Sequence, residues 1–158
     1  MYLTKDYFTR EPIYIQGIEN TSGGVETEYA TEMKNRMEQY IQLYESKFLK
    51  AMLGINYVQL LEDNPELKNS IFNADSNISP AANYVYYKMW KDSIAENTMS
   101  GDKIIGSDGS VIMINVEKMV TIWNVMRDMI IDILLDTDVD VNPDFSHEIF
   151  FDINSSGI

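Results

Sequence analysis

The chain has 158 residues, of which 12 are Lys or Arg and 25 Asp or Glu, with a single histidine and no cysteine. That length suits one domain able to bury roughly two thirds of the surface its unfolded form exposes, and the absence of cysteine excludes disulfide frameworks, thiolate catalysis and Cys-based zinc sites. A formal charge of -13, with acids spread along the whole chain, argues against tight binding of DNA or RNA and of anionic membrane surfaces, because phosphate contacts dominate such affinities.

Residues 1–26 show little periodicity. They contain Pro12, Gly17, Gly23 and Gly24 around an apolar patch at Ile13, Tyr14, Ile15 and Ile18. They read as an extended arm that packs across the body or reaches a neighbour. The start lacks the basic stretch and apolar run of a secretory signal, so a soluble protein is expected. Thr27 is suited to cap a first long helix that runs to about Leu53, with Glu28 and Glu32 near its positive end. Met33, Met37, Tyr40, Tyr44, Phe48 and Met52 recur at three or four residue spacing on one face, which Leu43 and Leu49 widen, and Glu45 lies within the stripe. Gly54 falls where a left-handed cap would end the helix.

Residues 55–62 place Ile55, Val58 and Leu61 on one face of a short returning helix that stops at Asp63-Asn64-Pro65. A further turn or two follows at 66–72, then a polar loop over 73–78. Ser79-Pro80 is a cap with proline at the first helical position. The helix beyond it presents Ala82, Val85, Tyr86, Met89, Trp90 and Ile94 on one side. Two apolar runs flank Gly106-Ser107-Asp108-Gly109-Ser110, which predicts a hairpin near 103–114. Asn115 caps the most apolar helix, where Val116, Met119, Val120, Trp123, Met126, Ile130 and Ile133 follow helical spacing to an end near Leu135. The apolar run at 129–135 contains Asp132 and is too short to span a bilayer. After it come an acidic run and a terminus rich in large apolar residues, Phe145, Ile149, Phe150, Phe151, Ile153 and Ile158, which need a surface to bury against.

The expected fold is therefore mainly α. It is a helical bundle of three to four main helices over 27–135, with a small β-hairpin insertion and extended N- and C-terminal arms at 1–26 and 136–158, all in one domain.

Candidate chemistry is sparse. Asp136, Asp138 and Asp140 alternate like the start of a calcium loop, but Val141 stands where that loop needs glycine and His147 where it needs a bidentate glutamate. His147 has Asp144 and Ser146 nearby in sequence without any nucleophile-elbow motif. Gly23-Gly24 and Gly106-Ser107-Asp108-Gly109 lack the lysine of a phosphate-binding loop. No catalytic residue, metal ligand or cofactor is assigned, and the chain does not read as an enzyme.

The order of segments adds what periodicity does not. Thr4-Lys5-Asp6-Tyr7-Phe8 with Ile13-Tyr14-Ile15 comes first, and then a helix carrying Tyr40-Ile41, Tyr44-Glu45, Phe48-Leu49 and Leu53-Gly54. An aromatic helix at 84–90 with Trp90, a hairpin, a long helix with Trp123-Asn124 and a close on residues 154–158 follow. This series resembles the head-tail connector (adaptor or neck ring) proteins of tailed bacteriophages, of the kind found in phages of Bacteroides-like hosts. The chain departs from that pattern in Ile55-Asn56-Tyr57-Val58 after the glycine and in the acidity of residues 136–144. The resemblance implies a structural virion protein at the head-tail junction, assembled in the host cytoplasm. It implies a homo-oligomeric ring, twelvefold to match the portal, between the portal protein and the next neck or tail protein, with DNA passing through the channel. The family-motif positions Tyr40, Tyr44, Glu45, Phe48, Leu53, Gly54, Trp90, Trp123 and Asn124 would serve packing or ring contacts, and the apolar tail would dock on a partner. Two alternatives stay open at this point: a small acidic helical regulator or chaperone-like binding protein, and a tail-completion protein in an adjacent neck layer.

Overall fold

The computed structural model describes residues 1–16, 18, 27–100 and 116–136, with side chains up to residue 93 in the fourth helix and from residue 117 in the fifth. The hairpin expected near 103–114, the cap at Asn115, the side chains of Ile94 and Val116, and the C-terminal arm lie outside the described residues. Those described are mainly helical, in the order α1 (Glu28–Leu53), α2 (Tyr57–Asp63), α3 (Pro65–Ile71), α4 (Pro80–Ser100) and α5 (Val116–Asp136), preceded by a one-turn 3-10 helix at Lys5–Phe8.

Local chemistry sets these boundaries. The Thr27 hydroxyl accepts from the Ala30 amide at 3.2 Å and opens α1, whose interior holds neither glycine nor proline. Gly54 closes it, donating its N–H to the Lys50 carbonyl at φ +87° and ψ -176°. The positive φ matches the expected glycine cap, but ψ puts the residue outside the left-handed helical well, in a region that essentially only glycine enters. At the next joint, the Asn64 side chain donates to the Leu60 carbonyl at 2.9 Å and Pro65 begins α3. The Asn73–Ile78 loop closes with a pair of backbone hydrogen bonds. Ser79 then caps α4, its hydroxyl accepting from the Ala82 amide at 3.4 Å.

The three long helices form a layer with α4 in the middle. Arg36 meets Ser93, Tyr40 meets Asp92 and Phe48 meets Tyr84, so α4 runs opposite to α1. Tyr86 lies by Lys118, Tyr87 on Trp123 and Asn83 near Met129, so α4 is also antiparallel to α5. A helix packed on both sides cannot keep one polar face. α4 accordingly buries Ala81, Ala82, Asn83, Val85, Tyr86, Met89 and Ser93, with small residues at its start that let neighbours approach. On α5, Met119, Ile122, Trp123, Met126, Ile130 and Ile133 face inward, and α3 packs beside it.

Three details depart from the sequence expectation. In α1 the buried line is Met33, Met37, Ile41, Glu45, Phe48, Leu49 and Met52. Tyr40 and Tyr44 are half-buried at its margin and Leu43 is exposed. Tyrosine hydroxyls need polar partners, which the margin supplies. Leu43, two residues on from Ile41, points about 200° away around the helix. In α2 the inward face is Tyr57, Leu60 and Leu61; Ile55 and Val58 face solvent. The helix starts two residues later than expected and packs beside α1 and α3, with Leu61 as its buried residue. On α5, Ile122 is buried where Val120 was expected, and Val120 is half-buried.

The N-terminal arm packs on its own body. Leu3, Tyr7, Phe8, Ile13, Ile15 and Ile18 are buried in the same core as the helices. Tyr2 stacks near Phe72 at 5.0 Å between ring centres, while Glu11 pairs with Lys118 at 2.9 Å. The arm thus runs from the α3 end of the bundle to the start of α5. Two substitutions separate the two accounts of α1. Ile41→Ala is expected to cost about 2–5 kcal/mol in urea unfolding, and Leu43→Ala to stay within about 0.5 kcal/mol. Equal losses would contradict the observed orientation.

Candidate functional site

The family-motif positions of α1 gather where the helix meets both the arm and α4. Glu45 is the centre of the arm side. The residue is 6 % exposed, and its carboxylate accepts the Tyr2 amide at 3.0 and 2.9 Å on its two oxygens and the Leu3 amide at 2.7 Å. The amino group of Met1 lies 3.7 Å away. A buried charge is tolerated only when it is paired and hydrogen-bonded. Here backbone donors of a segment more than 40 residues distant in sequence supply that pairing.

One turn away, the α4 side is a phenol and carboxylate cluster. The hydroxyls of Tyr40 and Tyr44 both donate to Oδ2 of Asp92, at 3.1 and 3.2 Å. Their rings stack at 5.5 Å, and Tyr44 meets Tyr84 edge-on at 6.2 Å, which in turn packs on Phe48 at 5.5 Å. Cations frame this ladder. Arg36 lies 5.9 Å from the Tyr40 ring centre and donates to Ser93 Oγ at 2.8 Å, Lys47 sits 4.8 Å over Tyr44 and Lys88 5.1 Å over Tyr84. The Ser93 hydroxyl donates to the Met89 carbonyl at 2.8 Å, so the serine is satisfied inside α4.

Burial pushes both phenols above the ordinary tyrosine value of 10.0. For Tyr40 a bond to Arg36 opposes the rise and Asp92 adds to it; for Tyr44 the Asp92 charge adds to it. At neutral pH both are protonated donors, held as recognition and packing groups. Asp92, already accepting two phenols, fixes the register between α1 and α4.

The remaining sequence-assigned residues distribute through the body. Phe48 and Leu53 are buried and Gly54 forms the α1 cap. Trp90 is half-buried with its ring 6.0 Å from Tyr86, on the side of α4 that meets Lys118. Trp123 is buried against Tyr87 at 4.7 Å, and Asn124 is half-buried beside it. The structure therefore joins Tyr40, Tyr44, Glu45 and Phe48 in one neighbourhood and sets Trp90, Trp123 and Asn124 apart from it on the α4 and α5 side. Sequence reading did not find Asp92, Arg36 or Ser93 as partners. The available signal was two tyrosines at i, i+4 spacing, whose hydroxyls call for an acceptor on the facing helix. The tail residues Phe145, Ile149, Phe150, Phe151, Ile153 and Ile158, and also His147, Asp138 and Asp140, lie outside the described residues. Among the described residues no group of His, Asp or Glu is placed to hold a metal ion, and no helix is long and apolar enough to cross a membrane. Comparison with protein-family models, with curated proteins and with solved structures finds no match.

Removing the Glu45 side chain strands two backbone donors. Glu45→Ala is expected to lower stability by about 3 kcal/mol and to abolish hydrogen-exchange protection at the Tyr2 and Leu3 amides. Glu45→Gln, which keeps one acceptor oxygen, should lose less; full protection in the alanine variant would show that the arm is held by its apolar residues alone. The tyrosines give a separate test. A phenol whose folded pKa is raised contributes stability that is complete below its unfolded value and disappears as pH climbs through the folded one. Unfolding free energy is expected to be insensitive to these groups up to about pH 9 and to fall above about 10. The double variant Tyr40→Phe, Tyr44→Phe should flatten that alkaline decline, followed by urea melts at successive pH with tyrosinate absorbance as the second readout.

Proposed function

We propose that this chain is a structural virion protein that assembles as a ring between the portal and the tail or neck of a tailed bacteriophage, extending and sealing the DNA channel. The observation that carries the reading is a coincidence of residues. The positions by which the sequence resembles the connector family, Tyr40, Tyr44, Glu45 and Gly54, are those that fix the arm, the α1 and α4 register and the end of α1. A family signature retained for architecture is what a scaffold protein requires, since its product is a shape.

Two physical features support it. A helical body with its N-terminal arm folded into the core presents a defined surface, and closed rings need repeatable interfaces. A net charge of -13 per copy, multiplied around a ring, gives a wall that repels phosphate and lets a duplex pass without sticking. In this reading the apolar tail beyond α5 supplies anchors for the adjoining portal or neck layer, because large side chains seated in pockets dominate such contacts.

The test is quantitative mass spectrometry of purified particles of a phage that encodes this chain, counted against the major capsid protein. About twelve copies per particle are expected for one cyclic ring. Hundreds of copies would assign it to a shell or tube, and absence from the particle would replace the ring with a regulator that acts before assembly is complete.

A further inference from the structure

The two outer helices of the layer carry opposite charges on the sides that point away from the core. On α1, Arg36, Leu43, Lys47 and Lys50 follow helical spacing on the side away from Ile41, Glu45 and Met52. Lys47 and Lys50 are exposed, Leu43 is 53 % exposed and Arg36 is half-buried. Lys47 rests over the Tyr44 ring at 4.8 Å, so its ammonium is placed before any partner arrives. On α5 the side away from Ile122, Met126 and Ile130 carries Glu117, Asp128 and Asp132, all exposed. Arg127 holds Asp128 at 2.8 Å, an exposed pair that contributes little.

The two stripes share one register. Arg36 and Lys47 are eleven residues apart, and so are Glu117 and Asp128, about 16 Å of helix in each case. Lys50 follows Lys47 by three residues and Asp132 follows Asp128 by four. Leu43 stands seven residues after Arg36, level with the hollow between Thr121 and Val125 that follows Glu117 on α5. The directions also agree. α1 and α5 both run opposite to α4, so they are parallel to each other at the two edges of the layer. Rotation about an axis along the helices brings α5 of one copy beside α1 of the next, pointing the same way, and repeating that operation builds a cyclic ring. Copies that each carry a charge of -13 repel one another. Their association needs a place where that repulsion is reversed, and the α1 stripe supplies it.

We infer that the outward stripe of α1 is a docking surface for a second copy of this chain, whose acidic α5 stripe packs against it in parallel, head to tail. The inference rests on the ring reading and names its contact.

Two full-length variants test it by sedimentation velocity across a concentration series: Lys47→Glu with Lys50→Glu, and Asp128→Lys with Asp132→Lys. The wild-type chain is expected to self-associate. Each variant alone sets like charges against each other and is expected to associate about tenfold or more weakly, with its helical circular dichroism unchanged. Mixed in equal amounts the two are expected to recover association, because the reversed α1 of one meets the reversed α5 of the other while the second junction is native. Wild-type association by either variant alone, or a mixture that stays monomeric, would overturn the inference. So would a wild-type chain that is monomeric up to about 1 mM, which would leave the stripe to an acidic partner of another kind. The particle count expected of the ring reading is untouched by that result, since a ring can also be built from contacts made only on the portal.

Discussion

A buried carboxylate that accepts three hydrogen bonds from main-chain amides is the constraint on which this structure turns. Glu45 occupies the middle of an otherwise apolar line on α1, where an unpaired charge is not tolerable, so the backbone at Tyr2 and Leu3 must be within reach whenever the core is closed. The path of the arm follows from that single requirement. Once Tyr2 and Leu3 are fixed, Tyr2 meets Phe72, Tyr7 and Phe8 drop into the core, and Glu11 reaches Lys118 near the start of α5. The arm is thus a fourth component of the body, threaded along helices that are distant from it in sequence.

The second organising element is α4, which has neighbours on both sides. Its two seams differ in kind. Toward α1 it presents Asp92 and Ser93, and the seam is polar at its upper end and aromatic below, where Tyr84 meets Tyr44 and Phe48. Toward α5 it presents Asn83, Tyr86 and Tyr87, which meet the Met129 sulfur, the Lys118 ammonium and the Trp123 ring. Hydrogen bonds to one carboxylate specify an alignment, whereas apolar packing tolerates small shifts.

Much of this was legible in the sequence where local chemistry decides the outcome. Thr27, Gly54, Pro65 and Ser79-Pro80 punctuate the helices at the places where the structure starts and stops them, because caps and breakers act within a few residues. Helical periodicity found most of the inward face of α5 for the same reason. It placed Glu45 within the stripe, where it is buried, but misjudged the tyrosines, since hydrophobicity treats tyrosine as core while a facing Asp92 holds the Tyr40 and Tyr44 hydroxyls at the margin. Those partners lie some 40 to 50 residues away, and nothing in a local pattern announces them. The same limit applies to Ile55 and Val58, where a short helix packed beside α1 and α3 takes its inward face from those neighbours.

The core has a further property that follows from its composition. Met33, Met37 and Met52 on α1, Met89 on α4, and Met119 and Met126 on α5 are all buried, so every one of the three long helices meets its neighbours partly through thioethers. Unbranched and polarisable, methionine fills irregular gaps and adopts new rotamers at little cost. Side-chain packing between the helices can accordingly adjust, while the arm and the tyrosine seam are held by hydrogen bonds. Small adjustments between the helices can be taken up by shifting sulfur-bearing side chains, with backbone hydrogen bonds left intact. Compliance of that kind also has a chemical vulnerability, because oxidising any of these sulfurs would place a polar sulfoxide where the helices need soft apolar contact.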